Sequence, residues 1–251
     1  LPFRIMARKY GVGLCYTPML RAREFADAKE EERKCFVRFH PKDRPLAVQF
    51  CATDPTDFIR AAKIVERDCD AVDLNLGCPQ SSARSGGFGA FLMDKPGLVS
   101  DIIRKASEEL KVPVWCKIRI LPTLKETIAF AVMLEASGCS LLAVHARQRE
   151  RSHHSGSADW STIRHLKKVL EIPVVANGNV QCLTDAQNCL KHTEADAVMS
   201  ANGILANPKI FSGFGCRRQT KHKDNDEKSF EVNTIQHPMR ESLVSAHCFG
   251  H

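Results

Sequence analysis

Seven short apolar runs limit what this chain can fold into: Leu14–Thr17, Leu46–Cys51, Ala71–Leu76, Val114–Arg119, Leu141–His145, Val174–Asn177 and Ala197–Ser200. Each has strand length, and the near-continuous apolar character is that of strands covered on both faces. Between them lie stretches of helical period near residues 57–67, 96–110, 124–137, 159–170 and 182–192. Pro113 and Pro173 stand just ahead of two runs, where a missing N–H is harmless, and Gly138 stands where a helix should stop. Strand and helix in alternation imply an α/β domain with a parallel sheet, either open and doubly wound or closed as a (β/α)8 barrel. The open form would be favoured by Gly-x-Gly-x-x-Gly after a strand. Gly86-Gly-Phe-Gly89 has neither that spacing nor a strand directly before it. A helical stretch from Leu1 to a stop at Gly11, followed by seven β/α units, matches a barrel lacking its first strand.

Composition narrows the function classes. In 251 residues, 43% are hydrophobic, enough for one domain with a sizeable core. Neither a bilayer-length apolar run nor a leader is evident, so an intracellular protein is expected, cytoplasmic or nuclear. The net charge of +7 permits a polyanionic partner. Eleven cysteines are scattered without a Cys-x-x-Cys pair. That argues against zinc, or any metal, and for a reducing compartment. From about Cys216 apolar periodicity disappears, so residues 1–213 are read as the barrel domain and 214–251 as a polar tail without structure of its own.

In such a barrel the chemistry collects at the C-terminal strand ends. Those ends carry Gln49, Asn75, Cys78, Lys117, Arg119, His145, Arg147, Asn177, Asn179 and Asn202. Cys78 follows its strand between Gly77 and Pro79, where a thiol can be a nucleophile, a proton donor or a buried turn residue. Lys117 points inward if its strand alternates, and an interior lysine needs an anionic partner. Asn177-Gly178-Asn179 and Ala201-Asn202-Gly203 close two late strands, where barrels of this kind often bind a phosphate. Together with the lysine they suggest a phosphorylated cofactor.

Six segments in order then carry a resemblance: Asn75-Leu-Gly-Cys-Pro-Gln80, Gly87-Phe-Gly-Ala-Phe-Leu92, Cys116-Lys-Ile-Arg119, Val144-His-Ala-Arg147, Pro173-Val-Val-Ala-Asn-Gly-Asn179 and Val198-Met-Ser-Ala-Asn-Gly203 with Asn207-Pro208. Over about residues 1 to 213 the chain resembles the tRNA-dihydrouridine synthases, most closely the eukaryotic subgroup acting on D-loop positions 16 and 17. The resemblance implies an FMN-bearing TIM barrel followed by a helical tRNA-binding domain. It implies hydride transfer from reduced FMN to C6 of uracil, protonation of C5 by a cysteine, and flavin reduction by NADPH or NADH. Carried over by motif, Cys78 is the general acid. Gln49 and Lys117 contact the flavin ring system, and His145 lies beside it. Asn177, Gly178, Asn179, Ala201 and Asn202 serve its phosphate region, and Asn75, Arg119, Arg147 and Arg149 meet the tRNA substrate. A thiol, with an ordinary pKa of about 8.5, can supply such a proton at neutral pH. Arg151, His153 and His154 extend the basic rim. A monomer with no membrane and no metal partner is expected.

The sequence departs from the family pattern in three places. The strand that carries an Ala-Pro-Met segment under the flavin is absent, the usual Gly-Arg of the second phosphate turn is Ala201-Asn202, and the helical RNA domain is replaced by the tail. The chain as it stands is therefore expected to bind FMN and tRNA weakly or not at all. Two rival readings are an FMN-dependent barrel oxidoreductase acting on a free pyrimidine and a catalytically inactive fragment that only binds RNA.

Overall fold

The computed structural model describes residues 1–149, 156–212 and 244–247, the last four by backbone alone. Its strands are β1 (Leu14–Tyr16), β2 (Leu20–Arg21), β3 (Leu46–Cys51), β4 (Ala71–Leu76), β5 (Val114–Arg119), β6 (Leu142–His145), β7 (Val174–Asn177), β8 (Ala197–Ser200) and β9 (Val244–His247). The helices are α1 (Pro2–Lys9), α2 (Ala22–Asp27), α3 (Glu30–Phe36), α4 (Pro55–Val65), α5 (Ser81–Gly86), α6 (Pro96–Glu109), α7 (Leu124–Ala136), α8 (Trp160–Val169), α9 (Leu183–Thr193) and α10 (Asn202–Ala206). The seven expected strands and the expected helices all form, with ends shifted by a residue or two. The short elements β2, α2, α3, α5 and α10 were not legible, because pieces of two to seven residues carry too little periodicity.

All pairings are parallel, in the order β1-β9-β8-β7-β6-β5-β4-β3-β2. A further β1–β3 pairing closes every strand except β2 into a ring, giving the α/β barrel that the alternation implied. The place between β8 and β1 is filled by β9, with Met199 opposite Ser245 and Leu14 also opposite Ser245. Four residues of the segment read as an unstructured tail thus supply a strand. The physical reason is the demand of two otherwise open parallel edges for backbone partners; residues 213–243 and 248–251 lie outside the described residues.

Side chains alternate across this ring. Outward residues such as Val72, Leu74, Leu76, Val144 and Ala176 join the main core under the helices. Inward residues Leu14, Ala47, Ala71, Ala143, Val175 and Ala197 form a separate apolar cluster inside the barrel. Helix starts are fixed locally: the Asp54 carboxylate accepts the N–H groups of Thr56 (2.8 Å) and Asp57 (3.1 Å) ahead of α4, and Thr123 with Glu126 builds a capping box on α7. At the opposite end of the barrel, Arg4 and Arg8 of α1 hold the fully buried Asp43 at 2.7 and 3.1 Å. Arg8 also donates to the carbonyls of Gly13 and Pro45, which immediately precede β1 and β3.

Candidate active site

Above the apolar cluster the barrel interior turns polar. Gln49, Asp73, Asn75, Lys117, Arg119, His145 and Asn177 are all buried. The register sets them side by side: Gln49 opposite Asp73, Asn75 opposite Lys117, Arg119 opposite His145, and His145 opposite Asn177. Five consecutive strands thereby present one continuous polar tier toward the C-terminal rim.

At its centre Lys117 Nζ donates to Asn177 Oδ1 at 3.3 Å, and Asn177 Nδ2 donates to the Met199 carbonyl at 3.0 Å. Burial pushes the Lys117 ammonium down to about 8, aided by Arg119 and opposed by Asp73. Burial pushes the Asp73 carboxyl up to about 7, against the hydrogen bond from Gln49 and the charge of Lys117. Asp73 Oδ1 has no hydrogen-bond partner among the described residues. The tier therefore contains a lysine and a carboxyl that both change charge close to neutrality, a combination frequent at functional sites.

The loop that carries Cys78 is pinned from several directions. Asn75 Oδ1 accepts the N–H groups of Gly77 (3.0 Å) and Cys78 (2.9 Å). The Arg119 guanidinium donates to the Gly77 carbonyl at 2.8 Å, and the Ala90 N–H donates to the Cys78 carbonyl at 3.0 Å. Gly89 has φ +62°, and a Cβ there would sit 2.7 Å from the Cys78 oxygen, so only glycine allows this close approach. Cys78 itself is 8% exposed and packs in a small apolar group with Cys51, Ala83 and Phe88.

Beside the tier, between the ends of β7 and β8, lies a cavity of ≈ 160 Å³ whose walls include His145, Arg147, Gly178, Asn179, Ala201 and Asn202. Gly178 has φ +124°, and a Cβ would come within 2.8 Å of Ala158. Arg147 donates to Asn179 Oδ1 and twice to the Gly156 carbonyl, and contacts His145 Nε2 at 3.2 Å. A buried guanidinium, loop backbone and an asparagine at a helix start suit an oxyanion.

Of the residues picked from sequence, Gln49, Asn75, Lys117, Arg119, His145 and Asn177 meet in the tier. Cys78 sits on the loop above it, and Arg147, Gly178, Asn179, Ala201 and Asn202 line the adjoining cavity. Arg119, expected on the solvent-facing basic rim, is fully buried, because it follows Lys117 by two residues and shares its inward face. Arg149 pairs with Asp94 at 2.6 Å and lies 5.1 Å from the Phe91 ring centroid. Arg151, His153 and His154 lie outside the described residues. Sequence reading missed Asp73, whose signal was a carboxylate two positions before Asn75 in an apolar run. It also missed the exposed Arg84, 5.4 Å from the same Phe91 ring. No disulfide joins the described cysteines to one another, no group of described residues could hold a metal ion, and no described helix is long and apolar enough to cross a membrane.

Comparison with known proteins bears on this site. The sequence profile of the dihydrouridine synthase (Dus) family matches residues 1–246. A mouse protein named tRNA-dihydrouridine(16/17) synthase [NAD(P)(+)]-like is 44% identical over 251 residues, covering 99% of this chain and 52% of that protein. The Schizosaccharomyces pombe tRNA-dihydrouridine(16/17) synthase is 46% identical over 215 residues, 84% of this chain and 54% of the other. A human tRNA-dihydrouridine(20a/20b) synthase-like protein is 39% identical, over 85% of this chain and 68% of its own. The chain spans about half the length of the 16/17 relatives it matches. Among solved structures, dihydroorotate dehydrogenase (DHODH) of Eimeria tenella shares the fold at a TM-score of 0.53 and 14% identity, over 76% of this chain and 59% of the other.

Proposed function

Because the chain belongs to the dihydrouridine synthase family, we propose that it carries the catalytic barrel of an enzyme that reduces uridine to 5,6-dihydrouridine in the tRNA D-loop, at positions 16 and 17. One observation carries this reading: the pinned Cys78 loop, the tier around Lys117 and the cavity beside Arg147 share one rim of one barrel.

The residues present fit FMN, and we read the chain as binding it, in place of the weak or absent binding expected from the three departures. The cavity between the ends of β7 and β8 offers Arg147, Asn179, Asn202 and loop backbone to a phosphate, so the substitution of Ala201-Asn202 for Gly-Arg leaves a cation at the site. His145 lines that cavity, Lys117 donates to Asn177 in its wall, and Gln49 lies farther along the same tier; from there the three would face the ring system. Bound there and reduced by NADPH or NADH, FMN would supply the hydride that adds to C6 of the uracil. Lys117 holds positive charge inside the barrel, where a cation stabilises negative charge on whatever lies against it. Cys78 gives its thiol proton to C5, which with the hydride saturates the C5–C6 bond. Asn75 presents the loop and adjoins the base. Arg84 and Arg149, each over the Phe91 ring, offer guanidinium groups to the phosphates of a tRNA whose target base has left its stack.

The test is to express the chain in yeast cells that lack dihydrouridine at positions 16 and 17, and to map the modification by mass spectrometry. Restoration at those positions by the wild type, and none by Cys78→Ala, is the expected result. Restoration at position 20 instead, or reduction of free uracil or orotate derivatives without tRNA, would overturn the assignment.

A further inference from the structure

Asp73 is not needed by the reaction above, yet it is the one carboxylate within the polar tier, fully buried on β4. It begins an unbroken series of side-chain hydrogen bonds. Gln49 Nε2 donates to Asp73 Oδ2 at 2.7 Å, Asn75 Nδ2 donates to Gln49 Oε1 at 2.7 Å, and Asn75 Oδ1 accepts the backbone N–H groups of Gly77 and Cys78 at 3.0 and 2.9 Å.

Each amide in this series has a donor end and an acceptor end, so its direction is set from outside. A carboxylate at one terminus can only accept, and the two N–H groups at the other can only donate. Both termini impose the same direction, and every link is satisfied. The carboxyl keeps Oδ2 as an acceptor in either protonation state, provided any proton sits on Oδ1, the oxygen that points away from Gln49. All members up to the loop are buried, so water offers no substitute for a broken link.

We propose that Asp73 is a positioning residue: through the Gln49–Asn75 amide relay it fixes the Gly77–Cys78 backbone and so aims the Cys78 thiol at its substrate. The assignment of a substrate rests on the proposed function; the relay itself does not. Removing the acceptor strands a buried Gln49 donor, frees Gln49 to turn, and deprives Asn75 of the contact that holds its far end. Arg119 on the Gly77 carbonyl and Ala90 on the Cys78 carbonyl keep the loop attached, so the expected defect is loosening rather than unfolding.

Residue-resolved hydrogen exchange on the whole chain tests the relay. In Asp73→Leu, exchange at the Gly77 and Cys78 amides should speed up about tenfold, as loss of one buried hydrogen bond implies. The Ala83 amide, bonded to the Gln80 carbonyl outside the relay, should stay as in wild type. Asp73→Asn keeps an acceptor oxygen and should restore both amides to within about twofold. Should Asp73→Leu fail to fold, Gln49→Met cuts the relay one link later and must give the same pattern. Full protection in either relay-cutting variant, or loss in Asp73→Asn equal to that in Asp73→Leu, would overturn the proposal. On tRNA, Asp73→Leu should lower kcat about tenfold with KM within twofold, and Asp73→Asn should recover it. A wild-type chain that makes no dihydrouridine while the exchange pattern holds would sink the proposed function and leave the relay standing.

Discussion

The lower and upper halves of the barrel interior are built from the same strands on opposite principles. Below, Leu14, Ala47, Ala71, Ala143, Val175 and Ala197 bury apolar surface and ask for no partner. Above, Gln49, Asp73, Asn75, Lys117, Arg119 and His145 are buried too but polar, and each needs a named bond or opposing charge. The lower half contributes stability in proportion to the area it hides. The upper half holds a carboxyl pushed up to about 7 and an ammonium pushed down to about 8, both signs that charge there is unfavourable. A barrel that served only to fold would continue the lower pattern upward. The change of principle halfway along each strand marks where chemistry begins.

Substitutions in the two halves should therefore fail in different ways. The largest effect is expected from Cys78→Ala: tRNA reduction should fall by about 10²- to 10⁴-fold, the usual reach of a positioned proton donor. Its melting temperature should stay within roughly 3 °C of wild type, since one small side chain is lost. Dihydrouridine counted per tRNA, beside a calorimetric scan, checks both; undiminished reduction would remove Cys78 from the mechanism. Next comes Leu14→Ala in the lower half, which should cost about 3 kcal/mol and leave the alkylation rate of Cys78 unchanged in the folded protein. If that rate rose severalfold, the two halves would not be separable.

Lys117→Met gives the opposite sign. A lysine whose pKa is lowered by folding binds fewer protons in the folded than in the unfolded chain between about 8 and its ordinary value of 10.5. Wild-type stability must then rise with pH across that window, while below it the full cost of a buried cation remains. The methionine variant should be more stable than wild type by about 2 kcal/mol at pH 7, and the gap should close toward pH 10. The same variant should lose FMN on gel filtration, with the flavin band of the wild type as reference. Equal stability at pH 7 together with retained flavin would contradict both the pKa direction and the cofactor role.

Much of this division was legible in the sequence, because it follows from period two. Lys117 and Arg119 announce an inward polar face by sitting two apart on one apolar run, and Asn177 closes another run at the same height. Asp73 carried the same signal but escaped notice, since a functional role is easier to read at a strand end than in its middle. The burial of Arg119 was legible in principle too, and charge alone misplaced it on the rim. What no local pattern could give was the strand Val244–His247. Its pairing with β8 and β1 depends on which edges the rest of the chain leaves open, a property of the assembled ring and not of the segment.

The smallest predicted effect tests whether the boundary runs between halves of the interior or merely between the two ends of the barrel. Asp54 lies just beyond the C-terminal end of β3, at the catalytic end, yet its carboxylate is spent on the Thr56 and Asp57 N–H groups at the start of α4. Asp54→Ala should cost about 1 kcal/mol, the ordinary worth of an N-cap, lowering the melting temperature by roughly 2–4 °C. Flavin retention and Cys78 alkylation should not change, because Asp54 makes no bond to the tier or to the cavity beside Arg147. If flavin retention fell tenfold with so small a loss of stability, polarity at the rim as a whole would be functional. The distinction would then belong to the ends of the barrel, with the inward tier only its deepest part.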